Sequence, residues 1–326
     1  MVRSLDIGPQ AAVAERSPMS RLRILFALVL AAALALAGPL VLHLTQRRHD
    51  RLPFQVGVEF PPGAAIVPGT VFATTVSALV DHELTSPTGW RPNDLFLWGP
   101  TLWADNNANR QLGIIMAVRE SVRVLKDNLT KVSSTEYDPN LVAADTAFRN
   151  DATRFWLPSA ERKFRDGVAA LRRYTEGLHA TPPVSKAITG RNVELIRLFQ
   201  TWGDLLGDAH ANLFKDREAD GSPVPMWRTD DYFYHAQGVA HVLHHLTLAV
   251  EREYSADFAA NPSLRSLLDQ VADALGRAAV MKPFVVLDGG AAGLFANHRR
   301  NLDVFMVDAR QKMYSIREEF ERRVPR

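Results

Sequence analysis

Positions Ile24 to Leu44 carry no charge in 21 consecutive residues, ILFALVLAAALALAGPLVLHL, and only His43 is clearly polar. At 1.5 Å rise per residue such a run crosses a bilayer core of about 30 Å. Beyond it the pattern changes to apolar stripes at helical spacing. Ile115, Val118, Val122, Leu125, Leu129 and Val132 recur every three or four residues, which puts them on one narrow face of a helix starting at Asp105. Leu141, Ala144, Phe148, Ala152 and Phe155 make the next stripe, closed by Pro158, and Phe164, Val168, Leu171, Thr175 and Leu178 another, before Pro182-Pro183. Leu195 to Leu213 predicts a helix ended by Asp220-Gly221-Ser222-Pro223. Val239, Val242, Leu246 and Val250 predict one more. Asn261-Pro262 supplies an N-cap and first-turn pair for a helix through Ala278, and a last helix begins near Asn297 and runs past Phe320.

The predicted fold is all-α: an N-terminal transmembrane helix followed by a multi-helix bundle. Phe284-Val285-Val286-Leu287 is the one good strand candidate, and a lone strand cannot form a sheet. The chain divides into a short tail (1–23), the span (24–44), a Pro/Gly-rich connector (45–69) and the bundle (70–326). Within the last, a short amphipathic helix is expected from Thr70 as N-cap to about Leu84, then an irregular stretch holding Trp90, Phe96, Trp98 and Trp103. Two packed sub-bundles meeting near Thr181 to Lys186 remain open.

The span has three readings. A soluble core helix rarely stays apolar on all faces for this length. Ala35-Leu36-Ala37 before Gly38 has the small-x-small form of a signal-peptidase site, but the apolar run continues past it. An uncleaved signal anchor, with a local bend at Gly38-Pro39, is the reading adopted. Arginines stand on both flanks (Arg21 and Arg23 before, Arg47, Arg48 and Arg51 after), so charge alone does not orient it. The usual arrangement for one early span places the tail inside and the large domain outside, in the periplasm. The expected location is a bacterial inner membrane.

The chain is +2 overall, and the tail with its four Arg and two acids accounts for all of it, so the part after the span is neutral. Neutrality argues against a nucleic-acid partner, since phosphate binding needs a basic patch. The absence of cysteine excludes thiol nucleophiles and thiolate metal sites and suits an oxidising compartment.

Candidate chemistry is sparse. His235, His241, His244 and His245 share one predicted helix. His241 and His245 lie one turn apart, as metal-binding pairs do, on the side away from the Val239/Val242 stripe. Val242 occupies the place where metalloprotease helices carry glutamate, and a His-rich polar face is the plainer reading, with no metal or cofactor expected. Asp105-Asn106-Asn107-Ala108-Asn109-Arg110 starts like a calcium loop but has Arg110 for glycine and Met116 for the bidentate glutamate. It reads more simply as an N-cap cluster. Leu287 to Gly293 is glycine-rich but has no P-loop lysine and no strand/helix alternation, so it reads as a flexible turn. No Gly-x-Ser-x-Gly elbow exists.

One set of residues is more telling together than singly. His82-Glu83, Gly89-Trp90-Arg91-Pro92-Asn93-Asp94, Asp105-Asn106 with Asn109, Gln111, Leu112 and Gly113, then Pro158-Ser159-Ala160-Glu161, Asp231-Tyr232-Phe233-Tyr234, Asp288-Gly289 and Asn297-His298 occur in order. The chain in this respect resembles an uncharacterised bacterial family of single-pass, membrane-anchored helical proteins, a domain of unknown function, over about residues 21 to 322. The resemblance implies an envelope protein and no particular activity. It directs attention to Trp90, Asn93, Asp105, Asn106 and Asn109 as candidate ligand-binding residues, where an exposed Trp among amides would suit glycan or peptide. The simpler alternative is an irregular segment pinned by Trp90 and by capping bonds. The expected function is a membrane-tethered scaffold or interaction protein whose partners are the lipid bilayer and another envelope protein. The alternative is a tethered enzyme or ligand-binding domain.

Overall fold

The computed structural model describes residues 18–49, 51–94, 105–130, 136–189, 192–283, 285–290 and 294–322. Among them the chain is helical, with only two isolated β-bridges, Arg217 to Pro223 and Asp288 to Asn297. Residues 285–287 form no strand, and Phe284 lies outside the described residues, as do Phe96, Trp98, Trp103 and Val132.

Helix α1 (Pro18–His49) holds an 18-residue window, Arg21–Gly38, of mean hydropathy 2.0 with none of its residues buried. It is long and apolar enough to cross a membrane, and a signal sequence has the same properties. The helix continues through Gly38-Pro39. Near its end Gln46 is buried and accepts a hydrogen bond from Thr88 Oγ1 at 2.6 Å.

The connector does not hang free. Leu52 and Val56 are buried, a short helix α2 (Val56–Glu59) interrupts it, and Arg252 donates to the carbonyls of Phe60, Pro61 and Ala64 at 2.8 to 3.0 Å. Helix α3 (Thr70–Thr85) follows. Its cap is Gly69, in the left-handed region at φ 104°, rather than Thr70, and a Cβ there would meet the Tyr174 hydroxyl at 2.6 Å. The Glu253 carboxylate takes the free amides of Gly69 and Phe72 at 2.5 and 2.9 Å. Helix α3 is buried nearly all round, so it is a central element and not the one-sided helix its sequence suggested.

Helix α4 (Asn106–Val124) ends in a π-helical turn, Leu125–Leu129, and α5 (Pro139–Phe148) is capped by Asp138. The stripe read through Phe155 overran: α5 stops at Phe148, Ala152 is buried in the following loop, and Phe155 is exposed. Helix α6 (Ala160–Leu178) is capped by Ser159, and α7 (Asn192–Leu213) precedes α8 (Met226–Glu253), the longest of the bundle. After the short α9 (Ser255–Ala259), α10 (Pro262–Ala279) is capped by Asn261 and α11 (His298–Glu321) by Asn297. The Asn261 cap matches the sequence and α11 starts where it was expected to, and at both an Asx side chain next to the first apolar turn answers the orphan amides locally.

One cluster of buried apolar side chains runs through α3 to α11. Trp202 sits at its centre, fully buried, stacked on Phe72, edge-on to Phe199, and donating Nε1–H to Ser121 Oγ at 3.0 Å. Each such aromatic or aliphatic side chain contributes about 1.5–3 kcal/mol when fully buried. Antiparallel pairs set the ends of the bundle. His210 meets Asp303 at 2.8 Å while Phe199 meets Phe320, which opposes α7 and α11. Arg265 meets Glu251 while Gln237 bonds to the Met281 carbonyl, which opposes α8 and α10. Arg172 meets Asp81 while Trp90 packs on Phe164, which opposes α3 and α6.

Candidate functional site

Helices α4 and α8 run parallel, and glycine makes the contact. A Cβ at Gly113 would lie 2.0 Å from the His235 carbonyl oxygen, and one at Gly238 would lie 2.0 Å from that of Arg110. Only glycine allows two backbones this close. The two helix N-termini therefore lie side by side, and three carboxyl groups gather there. Asp105 and Asp231 hydrogen-bond to each other, Asp230 is close to Asp105, and Asn109 Nδ2 donates to Asp231 Oδ1 at 2.6 Å.

Burial raises all three aspartates, since it disfavours the charged form. Asp231 goes to about 7 through burial, then the charges of Asp105 and Asp230, and Asp230 goes to about 6 through burial and Asp105. Two carboxyls in contact cannot both ionise cheaply, so the pair holds its last proton well above the usual carboxylate range. Their neighbours leave bonding capacity over. Asp105 Oδ1, Asn106 Oδ1, Asp230 Oδ1 and both amide atoms of Asn107 are buried without a hydrogen-bond partner. Asp105 stands at the N-cap of α4, as the sequence suggested, but its side chain makes no capping bond there. The aspartate turns toward α8 instead, where Asp231 can supply a proton.

Behind the cluster stands a buried ion pair, Arg110 to Glu83 at 2.8 Å, both side chains less than 5 % exposed. Gln111 Nε2 donates to Glu83 at 3.0 Å and to the Gly89 carbonyl at 2.9 Å, and its Oε1 accepts the Arg91 amide at 2.8 Å. These bonds fix the 86–94 segment against α4. Trp90 belongs to that fixture: it is 4 % exposed, edge-on to Phe164 at 4.9 Å, with Nε1–H on the Ala152 carbonyl at 2.8 Å. Asn93 is buried and donates to the Arg154 carbonyl and to Glu161. Trp90 and Asn93 thus pin the segment to α6, while Asp105 and Asn109 join Asp231, and Asn106 lies at the edge of that cluster.

The histidines are not on a solvated face. His241 is buried, His244 and His245 are half-buried, and their rings pack at 4.8 Å (His241 to His245) and 5.0 Å (His244 to His245). Helix α8 is surrounded, so the side away from the valine stripe meets the connector and α10. Burial, with the charge of Arg110, depresses His241 far below its usual range, and His245 falls to about 3, so both are neutral at physiological pH. They line a cleft of about 800 Å³ with Leu52, Phe54, Gly276 and Lys282. Among the described residues no group of three or more His, Asp or Glu side chains is arranged so that it could hold a metal ion. In the glycine-rich turn Asp288 pairs with Arg299 and accepts from Asn297 at 2.8 Å, so its described part is tied down, and 291–293 lie outside the described residues.

Asp230 and Asp231 were not singled out as site residues by the sequence, although Asp231 headed one of the family landmarks. A doublet of acids in the first turns of a helix, directly before Tyr232-Phe233-Tyr234, was the available signal.

Neither the comparison with curated proteins nor that with solved structures finds a match. A family model matches residues 61–215 and 199–322, nearly all of the chain beyond the connector. The chain belongs to the family described as uncharacterized protein conserved in bacteria, DUF2333.

Proposed function

We propose that this chain is a single-pass helical module tethered to the bacterial inner membrane, its bundle in the periplasm, where it serves as a scaffold that docks another envelope protein. The observation that carries the reading is the junction. The apolar window of α1 has no residue buried against the bundle, yet Gln46 and Leu52, just after the apolar run, are buried in it. A helix that meant only to be cleaved off has no reason to continue unbroken past Ala37 and bond to the domain in its last turns. Large apolar side chains left on the surface of the bundle, Trp227, Leu294 and Phe295 among them, suit a docking role. Alkaline phosphatase fused after Arg326, together with carbonate extraction of membranes, tests both halves. The expected result is an active fusion that stays in the pellet. An inactive fusion rejects the orientation, and release into the supernatant rejects the anchor.

A second reading rests on the aspartate cluster. Three raised carboxyls with spare buried oxygens can bind a ligand's hydroxyl or ammonium groups and exchange a proton with it. A thermal-shift screen of glycan fragments and short peptides checks this: a ligand that stabilises the wild type and not Asp231→Asn supports it, and stabilisation indifferent to Asp231 counts against it.

A further inference from the structure

We propose that the 149–159 loop seats its tip, Phe155, Trp156 and Leu157, in the headgroup layer of the same bilayer that α1 crosses. The inference rests on the anchor reading above and adds a second membrane contact to it. Depth along α1 is the starting point. The apolar run ends at Leu44, and Gln46 is two residues on, about 3 Å further along the helix. Gln46 is buried against Thr88. The 86–94 segment therefore meets α1 at the level where hydrocarbon gives way to headgroups.

The loop hangs on that same segment. Trp90 Nε1–H bonds to the Ala152 carbonyl at 2.8 Å and Asn93 Nδ2 to the Arg154 carbonyl at 3.1 Å. From Ala152 to Trp156 is four residues, at most about 14 Å of chain. Phe155, Trp156 and Leu157 are 39 %, 73 % and 81 % exposed, with the two rings edge-to-face at 5.2 Å. Large apolar side chains on a loop held at its base are costly in water, and among the described residues Trp156 and Leu157 are left largely uncovered. An interfacial bilayer region suits them: the indole and phenyl rings enter the acyl boundary while the indole N–H stays wet. Arg154, next to Phe155 in the chain, and Arg162, in the first turn of α6, are both exposed and suit anionic lipid headgroups.

The chain has no cysteine, so a single introduced one reports depth. Full-length protein is placed in nanodiscs of phosphatidylethanolamine and phosphatidylglycerol, spin-labelled at Leu30→Cys, Leu157→Cys or Ala259→Cys. Ala259 is exposed at the opposite end of the bundle. Accessibility to oxygen and to a water-soluble nickel chelate is compared. The expected result is a label at 157 that is several-fold less accessible to nickel than the one at 259, and intermediate between 259 and 30. A shielded label at 30 with labels at 157 and 259 equally accessible to nickel overturns the seat and leaves the anchor standing. It would leave a protein partner as the occupant of the tip. A label at 30 open to nickel overturns the anchor and the seat together.

Discussion

At the scale of single residues, the Asp105–Asp231 pair is the most demanding feature of the chain. Asp231 titrates near 7 in the fold and near 3.9 unfolded, so between those values the folded state holds the extra proton. Its contribution to stability is intact below about pH 4 and is lost as pH rises through 7. The buried histidines work in the opposite sense, since their depressed values cost stability as pH falls below about 6.5. A pH scan of the wild type therefore mixes the two, and the difference between variants separates them. Asp231→Asn supplies a neutral group that still accepts from Asn109 and donates to Asp105. It is expected to be more stable than wild type at pH 7.5 by about 1–2 kcal/mol, reduced by screening because Asp231 keeps part of its surface in water. The gain should vanish by pH 4. Urea unfolding of both proteins at pH 4.5, 6 and 7.5 checks this, and a gain independent of pH would contradict the retained proton.

At the scale of elements, the α4/α8 contact decides whether that pair exists at all. Gly113→Ala places a methyl group inside van der Waals contact of the His235 backbone oxygen, and a backbone cannot rotate away as a side chain can. The helices must separate, at a cost of about 1–3 kcal/mol or more. Separation also lets water reach Asp105 and Asp231, so the Asp231→Asn gain measured in the Gly113→Ala background should shrink; unchanged coupling would show the two sites to be independent. This contact was not legible in the sequence. Helix positions were, wherever one face stays dry and the other wet: α6, α10 and α11 follow their stripes, and the Asn261 and Asn297 caps act within three residues of themselves. Periodicity failed where helices are enclosed. Helix α3 is buried on most sides, α8 begins at Met226 well before its valine stripe, and the α5 stripe ran on through a loop whose Ala152 is buried for other reasons. The candidate site was half legible. Asp105 and Asn109 stand in an unusual run of amides, but their partner Asp231 lies 122 residues beyond Asn109, and only the packing of two glycines brings it there.

At the scale of the whole molecule, the bundle is joined to α1 by a strap rather than by a free linker. The strap leaves the Gln46 contact, buries Leu52 and Val56 along α8, and ends where Glu253 caps α3. Its hold on α8 comes chiefly from Arg252, whose guanidinium gathers the carbonyls of Phe60, Pro61 and Ala64, each acceptor on a turn with no helix to satisfy it. The strap also forms one wall of the histidine cleft, through Leu52, Phe54 and Val56. Arg252→Ala removes the clamp but no core side chain, so the bundle should remain folded with a loss of about 1–3 kcal/mol at most. Hydrogen exchange should nonetheless rise across residues 51–66 while the amides of α4, α7 and α11 keep their protection. Looser attachment has a consequence at the membrane: a bundle on a flexible tether spends less time seated, so a spin label at Leu157→Cys should gain nickel accessibility in the Arg252→Ala background although neither residue touches the other. Exchange confined to the strap with an unmoved label would mean that the Gln46–Thr88 junction alone fixes the bundle on the bilayer.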